Sequence, residues 1–388
     1  MTGKSSQIPC LDGLRGIAAV WVFLSHVQIL SGLRALPILS YGESAVDLFM
    51  LLSGFLMAHH YLERQQSEPW ESFTTWRSFW IRRFFRISPA YYVILTVALL
   101  AEPYIGEART AIASIWPATA TADSRYLDRS VGNIVAHLTY TFGAIPKYAF
   151  NTPLPDWSIG LEMQFYVVFP FLMLLIARCG KYRTAIALAG ACAFASAIAP
   201  TAFAGFTMPS FLPLKLYVFL AGILLAITRG TPEALRGLIV ATILVIVCPF
   251  GHVNSVALMR GLLVAGLFAL LSIESIGPLS FMAPLILLMR RLLGGRVAAF
   301  MGDTAYGFYL VHLLVVIPLA GLLTRVGAYT TASGAVRFFV ILTIAAAIAY
   351  PAAWVLHRLV EQPGIRWGKR IVRRSEGIKS GAPAVVDS

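Results

Sequence analysis

The sequence predicts an all-α, polytopic helix bundle built for a bilayer, with about ten transmembrane helices and both termini cytoplasmic. Three observations predict it. Of 388 residues, 58% are hydrophobic and only 13% charged, against roughly 25% charged in a soluble domain, and mean hydropathy is +0.75. Apolar runs near the ~20 residues that cross a hydrocarbon core recur along the chain. The net charge of +13 gathers in short clusters between those runs, the pattern of positive-inside topology and not of nucleic-acid binding.

The first span is Leu11–Leu30. It carries His26 and no small-residue cleavage site is evident after it, so it reads as a retained span and not a signal peptide. The second, Ser44–Tyr61, contains LLSGFL, where Ser53 and Gly54 permit close helix approach. A basic connector, Glu63–Arg86, precedes the third span, Ser88–Tyr104. A loop of roughly fifty residues follows, long enough to suggest function. The fourth span is Trp157–Ala177, stopped by Arg178, Lys181 and Arg183. Ala185–Ala199, Phe211–Ile227, Leu238–Phe250 and Val256–Ile273 are the fifth to eighth. Phe281–Leu293 reads either as an interfacial helix or as half a span. Met301–Leu323 and Val336–Leu356 complete the count. Residues 1–365 thus form one transmembrane domain, and 366–388 a basic cytoplasmic tail without regular structure. Cys10, Cys179, Cys192 and Cys248 show no paired spacing and read as small buried hydrophobes, not as a disulfide framework or metal site.

Ionisable groups inside spans cost about 2.5–3.5 kcal/mol each on insertion scales, so each needs a reason. Arg15 and His26 are eleven residues apart and share one helix face about 16 Å apart, with Arg15 near the cytoplasmic boundary and His26 close to mid-bilayer. His26 is either a packing histidine or a general base, since burial keeps an imidazole neutral and able to accept a proton. Arg83 and Arg86, in IRRFFRISP, share a face three residues apart. They are either ordinary topology signals or forks for phosphate, with Phe84, Phe85, Tyr91 and Tyr92 as possible walls. Asp156, Trp157, Ser158 and Glu162, then Gln164 and Tyr166, open the fourth span. Glu162 is either a structural partner for a cation or the group that tunes the base. Asp47 near the start of the second span is a second candidate for that task. Asp303, Tyr306, Tyr309 and His312 recur every third residue, as helix glue or as one wall of a polar cavity.

These pieces, in this order, resemble the acyltransferase-3 family of bacterial integral membrane O-acyltransferases, which act on O-antigens, exopolysaccharides and Nod factors. LDGLRGIAAVWVFLSH is similar to its first-span signature, RRFFRISPAYY to its Arg-x-x-Arg block, DWSIGLEMQFYVVFP to its Trp-Ser-Leu block with Ile159 for leucine, MGDTAYGFYLVH to a later block with Ala305 for serine, and HRLVEQP to its closing Glu-x-Pro. The resemblance implies a multi-pass protein of the bacterial inner membrane. It implies acyl-CoA, commonly acetyl-CoA, as co-substrate, with no resident cofactor and no metal. The acceptor would be a hydroxyl of a glycan or other saccharide, and polysaccharide modification by O-acetylation the outcome. It assigns catalysis to His26 with Glu162, donor binding to Arg15, Arg83 and Arg86, and supporting roles to Asp47, Ser53, Trp157, Ser158, Tyr166, Tyr309 and His312. Competing readings are a transporter using the buried His, Glu and Asp as a proton relay, a non-catalytic acyl-CoA sensor, and an acyltransferase acting on a cytosolic small molecule.

Overall fold

The computed structural model describes residues 8–66, 68–248, 254–272 and 281–375, and among them there is helix and no strand. The helices are α1 (Pro9–Leu30), α2 (Gly42–Arg64), α3 (Phe73–Ile115), α4 (Ser124–Leu127), α5 (Val131–Leu138), α6 (Trp157–Cys179), α7 (Lys181–Ile198), α8 (Pro200–Ala204), α9 (Leu216–Thr228), α10 (Ala234–Val247), α11 (Ser255–Ser272), α12 (Ala283–Leu293), α13 (Arg296–Leu323), α14 (Gly327–Thr330), α15 (Gly334–Leu356) and α16 (Gln362–Ser375). The chain is an all-α membrane bundle.

Seven of the ten expected spans are helices long and apolar enough to cross a membrane. The other three are shorter or less apolar: α7, α9 with 13 residues and α10 with 14. α9 is buried at every residue but Ile227. A helix apolar all round and wrapped by protein meets little lipid, so its ~20 Å length need not match the bilayer. The ends of two expected spans, residues 249–250 and 273, lie outside the described residues.

The connector before the third span is largely helical: Arg64 ends α2, and Arg77, Arg82, Arg83 and Arg86 ride on α3. α3 is 43 residues long, about 64 Å at 1.5 Å per residue and twice the hydrocarbon thickness. One expectation is corrected. The basic tail is helical as far as Ser375, since α16 packs on α3; residues 376–388 lie outside the described part. Gly364 and Gly368 allow that contact, for a Cβ on either would meet Phe85 or Pro89 of α3 within 2.8 Å. Phe281–Leu293 resolves into a short helix, α12, with Arg290 and Arg291 in its last turn. Cys179, unlike Cys10, is exposed.

α1 lies between α2 and α13. α13 also meets α3 and α15, and α2 meets α9. Glycines set both close crossings. A Cβ on Gly54 would stand 2.2 Å from the Phe219 carbonyl, and one on Gly222 2.1 Å from the Leu51 carbonyl. Gly16 and Gly302 do the same for α1 against α13. Small residues at such crossings let backbones touch, which supplies packing where lipid offers no hydrophobic drive.

Candidate active site

The α1–α13 crossing brings His26 and His312 together. Their rings are 5.0 Å apart between centroids, and His26 Nδ1 lies 3.0 Å from His312 Nε2. The remaining nitrogen of His312, Nδ1, is 2.8 Å from the Tyr309 carbonyl. A carbonyl only accepts, so His312 Nδ1 carries a proton. In a neutral ring its Nε2 is then an acceptor. It follows that His26 donates Nδ1–H to His312 and keeps its Nε2 lone pair free. The sequence left His312 open between glue and cavity wall; the fold makes it the group that sets the His26 tautomer. His26 lies four residues from the end of α1, nearer that end than the expected mid-span position.

Of the three-residue stripe along α13, Tyr306 and Tyr309 line a cavity with Arg15, Ser53, Ser158 and Glu162, and Asp303 and His312 stand outside that lining. Tyr306 donates to the Ile87 carbonyl at 2.9 Å. Tyr309 donates to the Pro155 carbonyl at 2.6 Å, so its single proton is committed and Ser158 is the donor in the 2.8 Å Ser158–Tyr309 bond. Ala305 also faces the cavity and brings no hydroxyl. Trp157, at the start of α6, is 7% exposed.

Glu162 accepts from Ser53 at 3.0 Å and from Tyr166 at 2.5 Å. No described histidine bonds to it. The expectation that Glu162 orients His26 is therefore not met by contact: it lies on the cavity wall, one layer nearer the arginines. Asp47 is corrected outright. Its two oxygens take Lys215 Nζ at 2.7 Å and Arg260 Nε at 2.5 Å, and Glu43 completes a charge-balanced quartet. Both lone-pair sets are spent on cations that the sequence shows only as basic residues inside apolar runs.

Among the arginines the structure discriminates. Arg82 is held by both oxygens of Glu68, at 3.1 and 2.6 Å. Arg83 has its guanidinium 5.7 Å above the rings of Phe79 and Tyr166, and its enclosed Nε has no partner. Arg15, Arg83 and Arg86 form no hydrogen bond or ion pair with any described residue. The expected aromatic walls divide. Phe85 is covered by α16. Tyr91 and Tyr92 turn instead to the loop, with rings 5.0 and 5.8 Å from Tyr140.

The long loop is structured, carries His137 and Arg125, which the sequence did not single out, and leads into Asp156, which the sequence placed at the opening of the fourth span without a role. Asp156, 1% exposed, accepts from Tyr91 at 3.1 Å and Thr152 at 3.0 Å and lies 3.7 Å from His137 Nε2. Burial pushes its carboxyl pKa up, against the pull of His137, Thr152 and Tyr91. Arg125 is buried in the same loop. An Ala-, Thr- and Tyr-rich segment without periodicity offers no pattern from which to pick such residues.

No solved structure matches the chain. The acyltransferase MdmB of Streptomyces mycarofaciens is 25% identical over 94% of both chains. The peptidoglycan O-acetyltransferase OatA of Listeria monocytogenes is 28% identical over 44% of this chain and 25% of its own length. A regulator of hypoxia-inducible factor 1 from Caenorhabditis elegans is 29% identical over 48% of this chain and 38% of its own. The model of the acyltransferase-3 family, an acyltransferase domain, matches residues 8–358, and the chain belongs to that family of membrane acyltransferases.

Proposed function

We propose that this protein moves an acyl group, acetyl by preference, from cytosolic acyl-CoA to a hydroxyl of a glycan or other saccharide at a bacterial plasma membrane, with His26 as general base. The observation that carries this is the Tyr309 carbonyl–His312–His26 chain on α1 and α13, the same helices that give Arg15, Tyr306 and Tyr309 to the cavity. That chain leaves His26 Nε2 a free lone pair, and Arg15, Arg83 and Arg86 keep guanidinium groups unpaired by any described residue.

Arg83 and Arg86, with Arg15, take the donor phosphates through charge-assisted forks. The pantetheine arm follows the cavity past Ser53, Glu162 and Tyr306. His26 Nε2 takes the proton of the acceptor hydroxyl as its oxygen attacks the thioester carbonyl. The C–S bond then breaks, and the thiolate recovers the proton from the imidazolium. His312 accepts the Nδ1–H throughout and steadies the charged ring. Ser53 and Tyr166 hold the Glu162 carboxylate on the cavity wall, where it offsets the positive field of Arg83.

Inverted vesicles given radiolabelled acetyl-CoA test the reading. Labelled ester and free thiol are expected. A transporter gives neither, and full transfer by a His26→Ala protein would remove the assignment of the base.

A further inference from the structure

Two cations are left over by the donor side. Arg109 lies 36 residues into α3 and Arg125 in α4, toward the end of the bundle away from Arg15, Arg83 and Arg86. Arg125 is 7% exposed. Its Nε donates to the Thr152 carbonyl at 3.1 Å, its guanidinium lies 3.8 Å from the Phe150 ring centroid, and no described residue accepts from its other four N–H groups. Arg109 has an enclosed Nε without a partner and no ion pair to a described carboxylate. Tyr126 is seated against α3, its Cβ 3.0 Å from a Cβ built on Gly106, and its hydroxyl too is enclosed and unpartnered. Tyr126 shares one apolar cluster with Phe23 and Val27 of α1, three positions before and one after His26. Arg109 and Arg125 act electrostatically on each other and on His26.

The described carboxylate that acts on Arg125 is Asp156, whose Oδ2 is taken by Tyr91 and Thr152 and whose Oδ1 is enclosed without a partner. One acid therefore stands against two guanidinium groups, that of Arg125 buried and that of Arg109 partly buried. Buried charges are ordinarily paired, because leaving one alone costs several kcal/mol. A bound anionic group offsets them.

We propose that Arg109, Arg125 and Tyr126 form an anion-binding subsite for the acceptor, so that the hydroxyl presented to His26 belongs to a saccharide bearing a carboxylate or phosphate. This rests on the acyltransferase reading above and narrows its substrate class. It gives the column of polar groups a cationic site at each end: one for the donor's phosphates, the other for the acceptor's acid.

The test uses the full chain in proteoliposomes with radiolabelled acetyl-CoA and the envelope fraction of its own cells. The labelled product should be retained on an anion exchanger. Methyl glucuronoside or glucose 1-phosphate should compete with the acceptor where methyl glucoside does not, and whichever competes identifies the acid as carboxylate or phosphate. Arg109→Gln with Arg125→Gln should abolish that competition and raise the acceptor KM at least about tenfold, the loss of one or more charge-assisted bonds, with the donor KM unchanged. Arg125→Lys, which keeps the charge and loses the fork, should fall between. A neutral product, equal competition by all three sugars, or a fall in kcat at constant acceptor KM would overturn the subsite. Absence of both label transfer and thiol release in the wild type would instead remove the acyltransferase reading, and this proposal with it.

Discussion

His312→Phe probes the mechanism at its most specific point. In the wild type the Tyr309 carbonyl fixes a proton on His312 Nδ1, and His312 Nε2 in turn accepts from His26. Phenylalanine keeps an aromatic ring of similar bulk against Phe23 and Phe308 and removes both bonds. A net hydrogen bond of about 0.5–1.5 kcal/mol shifts a tautomer ratio by about two- to twelvefold. The ring also loses its orientation, at a similar cost. Together these predict a kcat about 10–100-fold lower, short of the 10²–10⁴-fold expected when a general base is deleted. Donor KM should not move, because the arginines are untouched. His312→Gln should recover most of the activity, since its amide oxygen can accept from His26 while its N–H donates to Tyr309. The assay is thiol release from acetyl-CoA by purified protein with saturating acceptor. Activity of His312→Phe within twofold of wild type, with His26→Ala inactive, would refute the tautomer argument.

Other expectations follow from single contacts. His26→Ala should lose at least about 10²-fold in kcat while the protein still inserts and melts normally; an unchanged rate in the same thiol assay would end the base assignment. Arg83→Ala should raise the donor KM by about 10–100-fold, the worth of one or two charge-assisted bonds, with a smaller effect on kcat, whereas Arg82→Ala should leave the donor KM unchanged because Arg82 belongs to Glu68. Asp47→Asn should destabilise the bundle by about 3–5 kcal/mol, because Lys215 and Arg260 keep buried charges with only Glu43 to balance them; thermal unfolding in detergent reads this, and a catalytic loss without a fall in Tm would contradict the quartet.

The sequence by itself determined the solvent of the fold and most of its helices, because an apolar run of bilayer length is a local property that no tertiary contact has to supply. It also brought Arg15, His26, Arg83, Arg86 and Glu162 into consideration, since each ionisable group inside an apolar run carries its cost on its face. What it could not give was partners. Asp47 and Glu162 look alike in a string of residues, both acids near the opening of a span. One is spent on Lys215 and Arg260, and the other faces the cavity. His26 and His312 are 286 positions apart, and only the glycine-bearing crossing of α1 and α13 makes them one unit. Arg109 and Arg125 drew no notice because an arginine near a span end or in an aperiodic loop looks like solvated surface, and burial is decided by the fold. Hydropathy is written residue by residue, whereas proton ownership and charge pairing depend on distances of a few ångströms that only packed helices fix.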